Sequence, residues 1–487
     1  MTQLMMQYLS PLLIVAFGIV LSLLLIAWRR SQKLILHFTL AIFVCALLSS
    51  ISLVSNTIDA VQITALIKGD NYAYIAFILI LLVSMVVGFL SSSWLRHSVE
   101  VHDEFFVLLQ LVVLGSGVVV MSDHFAALFL GFELLSIALV GMVGYSRGSK
   151  YGVESAFKYL VLSATASSFM LLGIAFVYSQ SGSLSFSVDA FSIAVNGQLY
   201  FVGFLLFIVG VAFKLSLAPF HFWTPDVYQG APTSVTLLLA TVSKVAMFVV
   251  LMKYWFSQSS LLADSASNVH TLVSILAILS MLTGNFLALK QQNIKRLLAY
   301  SSIAHMGYLL MVLLVVFPQS VHLAWQSALF YLIAYVIATI SLFIALQLSE
   351  GKNANTTLDG EQAISDWQGM FWHNRVLALL IIVAILSLAG IPLTAGFIGK
   401  FYVLNTAVQA QQWWLITTLI VGSGIGLFYY LKIIFTLFDG VNQEQSMYLT
   451  NAVVPTELSP VVNLSVILII LAGVILGVYP DIVSQML

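Results

Sequence analysis

Apolar runs of about twenty residues recur along the whole chain, and that is the length an α-helix needs to cross the hydrocarbon of a bilayer. Read with a window of roughly 19 residues, fourteen such runs stand out. They lie near 8–28, 35–57, 73–95, 105–121, 125–144, 154–178, 199–220, 231–252, 271–289, 297–317, 322–348, 376–404, 412–436 and 459–479. Backbone in hydrocarbon must satisfy its own hydrogen bonds, which leaves helices or a closed barrel. Runs of this length predict helices, and therefore an all-α polytopic membrane protein. Composition excludes the other classes. Only 8% of residues are charged and 61% are hydrophobic, whereas about a quarter of an average soluble chain is charged. Cys45 is the single cysteine, so neither a disulfide framework nor a cysteine-bound metal or iron–sulfur centre fits. A net charge of −1 offers no basic surface for nucleic acid.

The loops orient the spans. The first run has no positive residue before it and Arg29-Arg30 directly after it, the wrong polarity for a cleavable signal. With the N-terminus outside, loops after odd-numbered spans hold Arg29, Arg30, Lys33, Arg96, Arg147, Lys150, Lys290, Lys295, Arg296, Lys352, Arg375 and Lys432. The opposite side holds only Lys68 and Lys253. Such a bias marks the cytoplasmic side and predicts both termini on the periplasmic side. Met121-Ser122-Asp123-His124 is so short a connection that spans four and five must form a tight helical hairpin. Gln180 to Gln198 alternates polar and apolar residues, which suits a short external hairpin. Glu350 to Arg375 reads equally well as a solvated linker or as a cytoplasmic loop whose Asp366-Trp367 and Phe371-Trp372 rest at the interface. The expected organisation is three helices over 1–103, the next ten spans over 104–435, and a loop with the last helix over 436–487.

Some charges have no place in a loop. Lys158, Lys214, Lys244 and Lys400 fall inside spans, as does Glu133, while Glu154 opens the sixth. A charge at the bilayer centre costs roughly 2.5–3.5 kcal/mol even on a lenient scale, and several facing lipid would rival the net stability of a domain. These side chains are expected to face the bundle interior. Glu154 and Lys158 are four residues apart, so a local ion pair explains them as well as a transport role does. Glu133, Lys214 and Lys244 have no partner within a helical turn and must find one on another helix.

Helix breaks accompany the lysines. Pro219 follows Lys214 by five residues, and Gly390-Ile391-Pro392 and Gly396 precede Lys400. Interrupted spans at corresponding places in two halves point to a transport site built from repeats. Lys214 in span seven and Lys400 in span twelve are five spans apart, so their helices run in opposite directions. That is the geometry of two inverted five-helix repeats, spans 4–8 and 9–13. His305 falls in span ten, the counterpart of the span carrying Glu133, and its location favours a relay over a hydrogen-bonded structural role. His221 follows the broken seventh span; His322 and His124 read as boundary residues.

Spread over five spans, these groups suit a proton wire better than a solute pocket. A carboxylate that moves toward or away from a buried ammonium makes it hold or release a proton, and such a pair titrates as a coupled unit. No phosphate-binding Gly-rich loop or dinucleotide fingerprint is present, nor facing histidine pairs for haem, so the energy must come from another polypeptide.

The run Phe213-Lys214-Leu215-Ser216-Leu217-Ala218-Pro219-Phe220-His221-Phe222-Trp223-Thr224-Pro225-Asp226-Val227-Tyr228-Gln229-Gly230-Ala231-Pro232-Thr233 resembles the signature of the antiporter-like subunits of respiratory complex I. Ser243-Lys244, Asn293 through Tyr308, and Gly390-Ile391-Pro392 continue it. The resemblance spans roughly 104–435. It implies fourteen helices with the seventh and twelfth broken, and proton translocation by Glu133 and Lys214, then Lys244 with His305, then Lys400. Glu154, Lys158 and His221 would be auxiliary. It also implies a bacterial inner-membrane location among neighbouring antiporter-like and small hydrophobic subunits. FMN, iron–sulfur clusters and quinone would be bound by other subunits, with no cofactor or metal on this chain. Two features point to one member of that family: the chain stops soon after span fourteen, and a lysine stands at 400 where the middle paralogue usually has glutamate. A multi-subunit cation/proton antiporter, a membrane-bound hydrogenase and a purely structural subunit remain as alternatives.

Overall fold

Each of the apolar runs contains helix in the computed structural model, which describes residues 3–56, 60–95, 103–145, 150–186, 198–258, 266–314, 321–349, 362–440 and 460–481. In chain order, α1 is Gln3–Trp28 and α2 Gln32–Asn56. Two short strands follow, β1 (Val61–Gln62) and β2 (Lys68–Gly69), then α3 (Asn71–Leu95), α4 (Glu104–Met121), α5 (Phe125–Val143) and α6 (Lys150–Ser181). The middle of the chain forms α7 (Gln198–Leu215), α8 (Trp223–Gly230), α9 (Thr233–Ala240), α10 (Val242–Ser257) and α11 (Ala266–Leu289). After it come α12 (Ile294–Leu310), α13 (Val321–Ser349), α14 (Met370–His373), α15 (Arg375–Ala389), α16 (Ala395–Gln409), α17 (Trp413–Phe438) and α18 (Pro460–Val478). Among the described residues twelve helices are long and apolar enough to cross a membrane; Arg375–Ala389 and Ser465–Val478 are shorter apolar helices. The protein is a multi-pass membrane protein.

The chain divides into two compact units. The first comprises Met1–Tyr145, Ser155–Leu215 and Ser234–Val269, the second Ser146–Glu154, Ser216–Thr233 and His270–Leu487.

In the first unit α4 packs on α1, α3 and α5, and α10 packs on α3, α4 and α7. The expected α4–α5 hairpin is present, turning through Ser122, Asp123 and His124. His124 caps α5: its Nδ1 accepts the Ala126 N–H at 3.1 Å. Burial lowers the imidazole pKa, against a smaller opposing pull from Asp123, and a neutral ring is what an accepting cap requires. The two helices touch backbone to backbone. A Cβ added at Gly115 would lie 2.7 Å from the Leu135 nitrogen, and one at Gly131 2.9 Å from the Gly115 carbonyl. Without a hydrophobic drive between helices in lipid, close approach at small residues and polar bridges supplies the cohesion. Gln110 on α4 is such a bridge, donating to Ser22 on α1 and Thr39 on α2, both at 2.8 Å. At the other end of α10, Lys253 pairs with Asp70 at 2.9 Å. The predicted hairpin after α6 takes a different form in its described part. Ser185 bridges to His124 and Phe186 donates to the Asp123 carbonyl, so this segment pairs with the α4–α5 turn; 187–197 lie outside the described residues.

In the second unit α12 and α13 are almost wholly buried. Helix α13 packs on α15 and α16, α15 on α17 and α18, and α12 on α8. Asn293, which opens α12, bridges to Ala363. The described part of the predicted cytoplasmic loop is thus tied down, and Trp367, expected at the interface, is 1% exposed. Its short 3-10 turn packs against α17 and carries the indole inward. Trp372 does lie outside, with its indole N–H on the Phe438 carbonyl at 3.2 Å.

Candidate functional site: buried lysines at two helix breaks

Helix α7 ends where Ser216 adopts φ 62° and a cis peptide joins Ala218 to Pro219. Proline lacks the N–H that would continue the ladder. Lys214 stands in the last turn before this break, fully buried. A helix C-terminus carries partial negative charge, which favours a cation. The ammonium donates to Ser136 Oγ on α5 at 2.8 Å and to the Tyr159 hydroxyl on α6 at 2.6 Å. It also lies 5.1 Å from the ring centres of Phe132 and Tyr159, close enough for both faces to attract it. Glu133 lies on α5 between Phe132 and Ser136, the two residues of that helix that meet the ammonium. Among the described residues no contact ion pair joins Glu133 to Lys214, and Glu133 Oε1 is buried without a hydrogen-bond partner. Lys244, also in the first unit, is fully buried on α10 three residues after Thr241, where the backbone departs from helix between α9 and α10.

The second break lies in the second unit. Helix α15 closes on Gly390 at φ 81°, with the Gly390 and Ile391 N–H groups folded back on the Leu386 carbonyl. This is a glycine-terminated C-cap. Leu393 then takes φ 73° and α16 begins. Lys400 on α16 reaches back across the gap, its ammonium donating to the Ala389 carbonyl, left free by the break, at 2.8 Å. It also lies 5.3 Å from the Tyr308 ring centre. Both lysines thus meet a helix C-terminus and an aromatic face.

His305, 4% exposed, sits within a hydroxyl cluster. Its Nδ1 is 2.6 Å from the Tyr331 hydroxyl and its Nε2 3.3 Å from that of Tyr430. Tyr430 in turn shares a short hydrogen bond with Ser301. Asn285 donates to the Tyr308 hydroxyl at 2.9 Å and accepts from Tyr429 at 3.2 Å. A small cavity is lined by His305, Tyr331, Ala334, Tyr335, Ser387, Leu388 and Gly396. Through Tyr308, which stacks edge-on to His305 at 5.7 Å, the structure connects His305 with Lys400.

The first unit therefore brings Glu133 and Lys214 near one another, and the second joins His305 to Lys400. His221 is buried against the Phe222 ring at 4.7 Å, with Nδ1 unpartnered. Glu154 is exposed and Lys158 half-exposed, whereas both were expected to face inward. Helix α6 begins at Lys150, so Glu154 is barely one turn in, where a carboxylate keeps its hydration. His124 and His322 lie at element ends, as read from the sequence. Reading the sequence by charge missed Tyr159, Tyr308, Tyr331 and Tyr430. Their signal is the spacing: Tyr331 and Tyr335 share a face of α13, and Tyr308 follows His305 by three. Sequence reasoning also missed the Arg296–Asp226 pair at 2.7 Å, which, with Gln229 at 3.0 Å, ties α8 to α12.

Comparison with known proteins follows this geometry. Residues 122–426 match the transmembrane family described as NADH:quinone oxidoreductase/Mrp antiporter, more than half of the chain. A chain of respiratory complex I from Thermus thermophilus is 30% identical, with 97% of this chain and 98% of that one covered at a TM-score of 0.81. A chain of the archaeal membrane-bound sulfane sulfur reductase is 21% identical, covering 100% and 96% at a TM-score of 0.81. One from the Mrp complex of a Dietzia species is 18% identical, covering 100% and 96% at a TM-score of 0.83. The last two share the fold.

Proposed function

We propose that this chain, which belongs to the NADH:quinone oxidoreductase/Mrp antiporter transmembrane family, is a proton-translocating membrane-arm subunit of an NADH:quinone oxidoreductase, corresponding to bacterial subunit N. The observation that carries this reading is the pair of buried ammonium groups at helix breaks, Lys214 held by two hydroxyls that can exchange protons and Lys400 by a backbone carbonyl and an aromatic face. The 30% identity to a complex I chain over nearly its whole length and the lysine at 400 support subunit N.

In this mechanism Lys214 is the proton carrier of the first unit and Glu133 its switch. The carboxylate stands off in the geometry seen, leaving the ammonium to Ser136 and Tyr159. Lys244 passes the proton on, His305 relays it, and Lys400 is the terminal group; Glu154, Lys158 and His221 are auxiliary. Two inverted repeats, spans 4–8 and 9–13 of fourteen, frame these steps, in a bacterial inner membrane with both termini periplasmic. The chain supplies no redox group. FMN, iron–sulfur clusters and quinone belong to partner subunits, with other hydrophobic membrane-arm subunits as neighbours. Each proton moved against 100 mV requires about 2.3 kcal/mol, delivered by conformational or electrostatic coupling.

The test compares inverted vesicles carrying wild type and Lys214→Ala. NADH-dependent quinone reduction and acidification are followed together, with assembly checked on a native gel. An assembled variant that loses acidification supports the pump. If both signals match wild type, Lys214 only holds helices together, or the chain serves another complex. The family description also names an antiporter, so the second reading is a cation/proton antiporter subunit. Purifying the tagged chain with its partners separates the two, since only the first brings flavin and iron–sulfur subunits with it.

A further inference from the structure

Between His305 and the break that places Lys400 lies the cavity already described, and one tyrosine both bonds the histidine and faces that space. We infer that Tyr331 is a proton-relay residue, passing a proton between His305 Nδ1 and a single water resident in this cavity, whose far wall is Ser387 and Gly396 at the α15–α16 break. This inference rests on the translocation reading and adds to it a residue and a water site.

Three observations converge. The Tyr331 hydroxyl is 2.6 Å from His305 Nδ1, and both residues line the cavity. The Ser387 hydroxyl stands in the same wall as that of Tyr331, and a buried water is held where two to four polar partners surround it. Finally, Tyr331 is not free to swing away. A Cβ added at Gly399 would lie 3.1 Å from its ring and 3.2 Å from its Cα, so α13 is pressed against α16 one residue before Lys400. Ser387 is fixed as well, its Oγ accepting the Gly396 N–H at 3.1 Å.

The step balances without a charged tyrosine. With Nδ1 protonated, the N–H bond breaks as the Tyr331 oxygen takes that proton. In the same event the tyrosine O–H bond breaks toward the water, and the water gives one of its own protons to Lys400 at the break, which accepts it as the free amine and becomes the ammonium. Tyr331 ends neutral with a new proton. Stepwise loss would instead leave a phenolate in a low-dielectric interior, which is costly. His305 is refilled at Nε2, which faces Tyr430 and, through it, Ser301.

The experiment compares Tyr331→Phe, Tyr331→His, Tyr335→Phe and His305→Ala in inverted vesicles of the assembled complex. It measures acidification per NADH oxidised. Phenylalanine keeps the packing on Gly399 and removes only the hydroxyl, and acidification should fall on the order of tenfold or more, as for loss of a positioned proton-transfer group. Histidine restores a transferable proton and should recover much of that loss. Tyr335→Phe shares the cavity wall and should retain most of its acidification. Should Tyr331→Phe fail to assemble, Tyr331→His and a full-length Ser387→Ala carry the test, with Ser387→Ala expected to slow acidification. Wild-type acidification in Tyr331→Phe, or an equal loss in Tyr335→Phe, overturns the relay while leaving the pump. Wild-type acidification in His305→Ala removes the relay and the proposed role of His305 together.

Discussion

Lys214 is held inside the helix bundle with no contact salt bridge among the described residues. Two hydroxyls at 2.8 and 2.6 Å and two aromatic faces at 5.1 Å surround the ammonium. A hydrogen bond involving a charged group contributes about 1.5–3 kcal/mol. Tyr159→Phe keeps both ring faces and removes the nearer hydroxyl. The variant should assemble, since Ser136 and the rings remain, but lose acidification several-fold, which parallel native gels and vesicle assays would reveal. Undiminished pumping would make Tyr159 packing only. The Arg296–Asp226 pair should behave in the opposite way. Its side chains are 27% and 33% exposed, and pairs of that kind contribute roughly 0–1 kcal/mol. Asp226→Asn should therefore lower the thermal midpoint of the complex slightly and leave pumping intact; a large loss would mean the pair transmits the motion of α8. At this scale the sequence singled out Glu133, Lys214, Lys244, His305 and Lys400 by their ionisable side chains. It hid the tyrosines, because in an apolar helix an aromatic residue reads as core until the fold shows where its hydroxyl points.

Breaks rather than helices carry the chemistry at the next scale. Pro219 and Gly390 announced both interruptions in the sequence, and α7 and α15 end within a few residues of them. The departure at Thr241 between α9 and α10 had no such mark, because neither proline nor glycine makes it. At Gly390 the conformation and the close approach are separate demands. The φ of 81° disfavours any L side chain, and a Cβ there would lie 2.7 Å from the Lys400 chain. Gly390→Ala should cost about 1–2 kcal/mol in backbone strain and push Lys400 off the Ala389 carbonyl. Its expected phenotype is near-normal assembly with acidification lowered as far as in Lys400→Ala. Failure to assemble, with Lys400→Ala assembling normally, would show that the break serves folding first. Gly131 demands only closeness, between α4 and α5. Gly131→Leu would overpack that seam, a change that costs typically 1–3 kcal/mol or more, and should reduce the amount of assembled complex without altering pumping per complex.

For the molecule as a whole the open question is parity. Among the described residues twelve helices are long enough to span and two more are short; termini on one side require that the short ones, α15 continued by α16 and α18, both cross or both fail to, and the proposed fourteen spans require that both cross. The charge bias that oriented the loops is sensitive to this, since adding or losing one span exchanges the two sides for everything after it. Four single cysteines in a Cys45→Ser background decide it: Lys33→Cys after span one, Gln62→Cys after span two, Lys290→Cys after span nine and Gln409→Cys after span twelve. A membrane-impermeant thiol reagent added to intact cells should label Gln62→Cys and Gln409→Cys, and should reach Lys33→Cys and Lys290→Cys only in inverted vesicles. Labelling of Lys290→Cys from outside would put the miscount between spans two and nine and reverse the two halves. If Gln409→Cys alone fails to label from outside, the α15–α16 segment dips into the membrane and returns. Lys400 would then open to the same side as Arg375, and the exit assigned to it would move with it. Labelling as expected leaves the helices of Lys214 and Lys400 antiparallel, the relation an inverted repeat needs if two halves of one chain are to present similar buried lysines to opposite faces of a membrane.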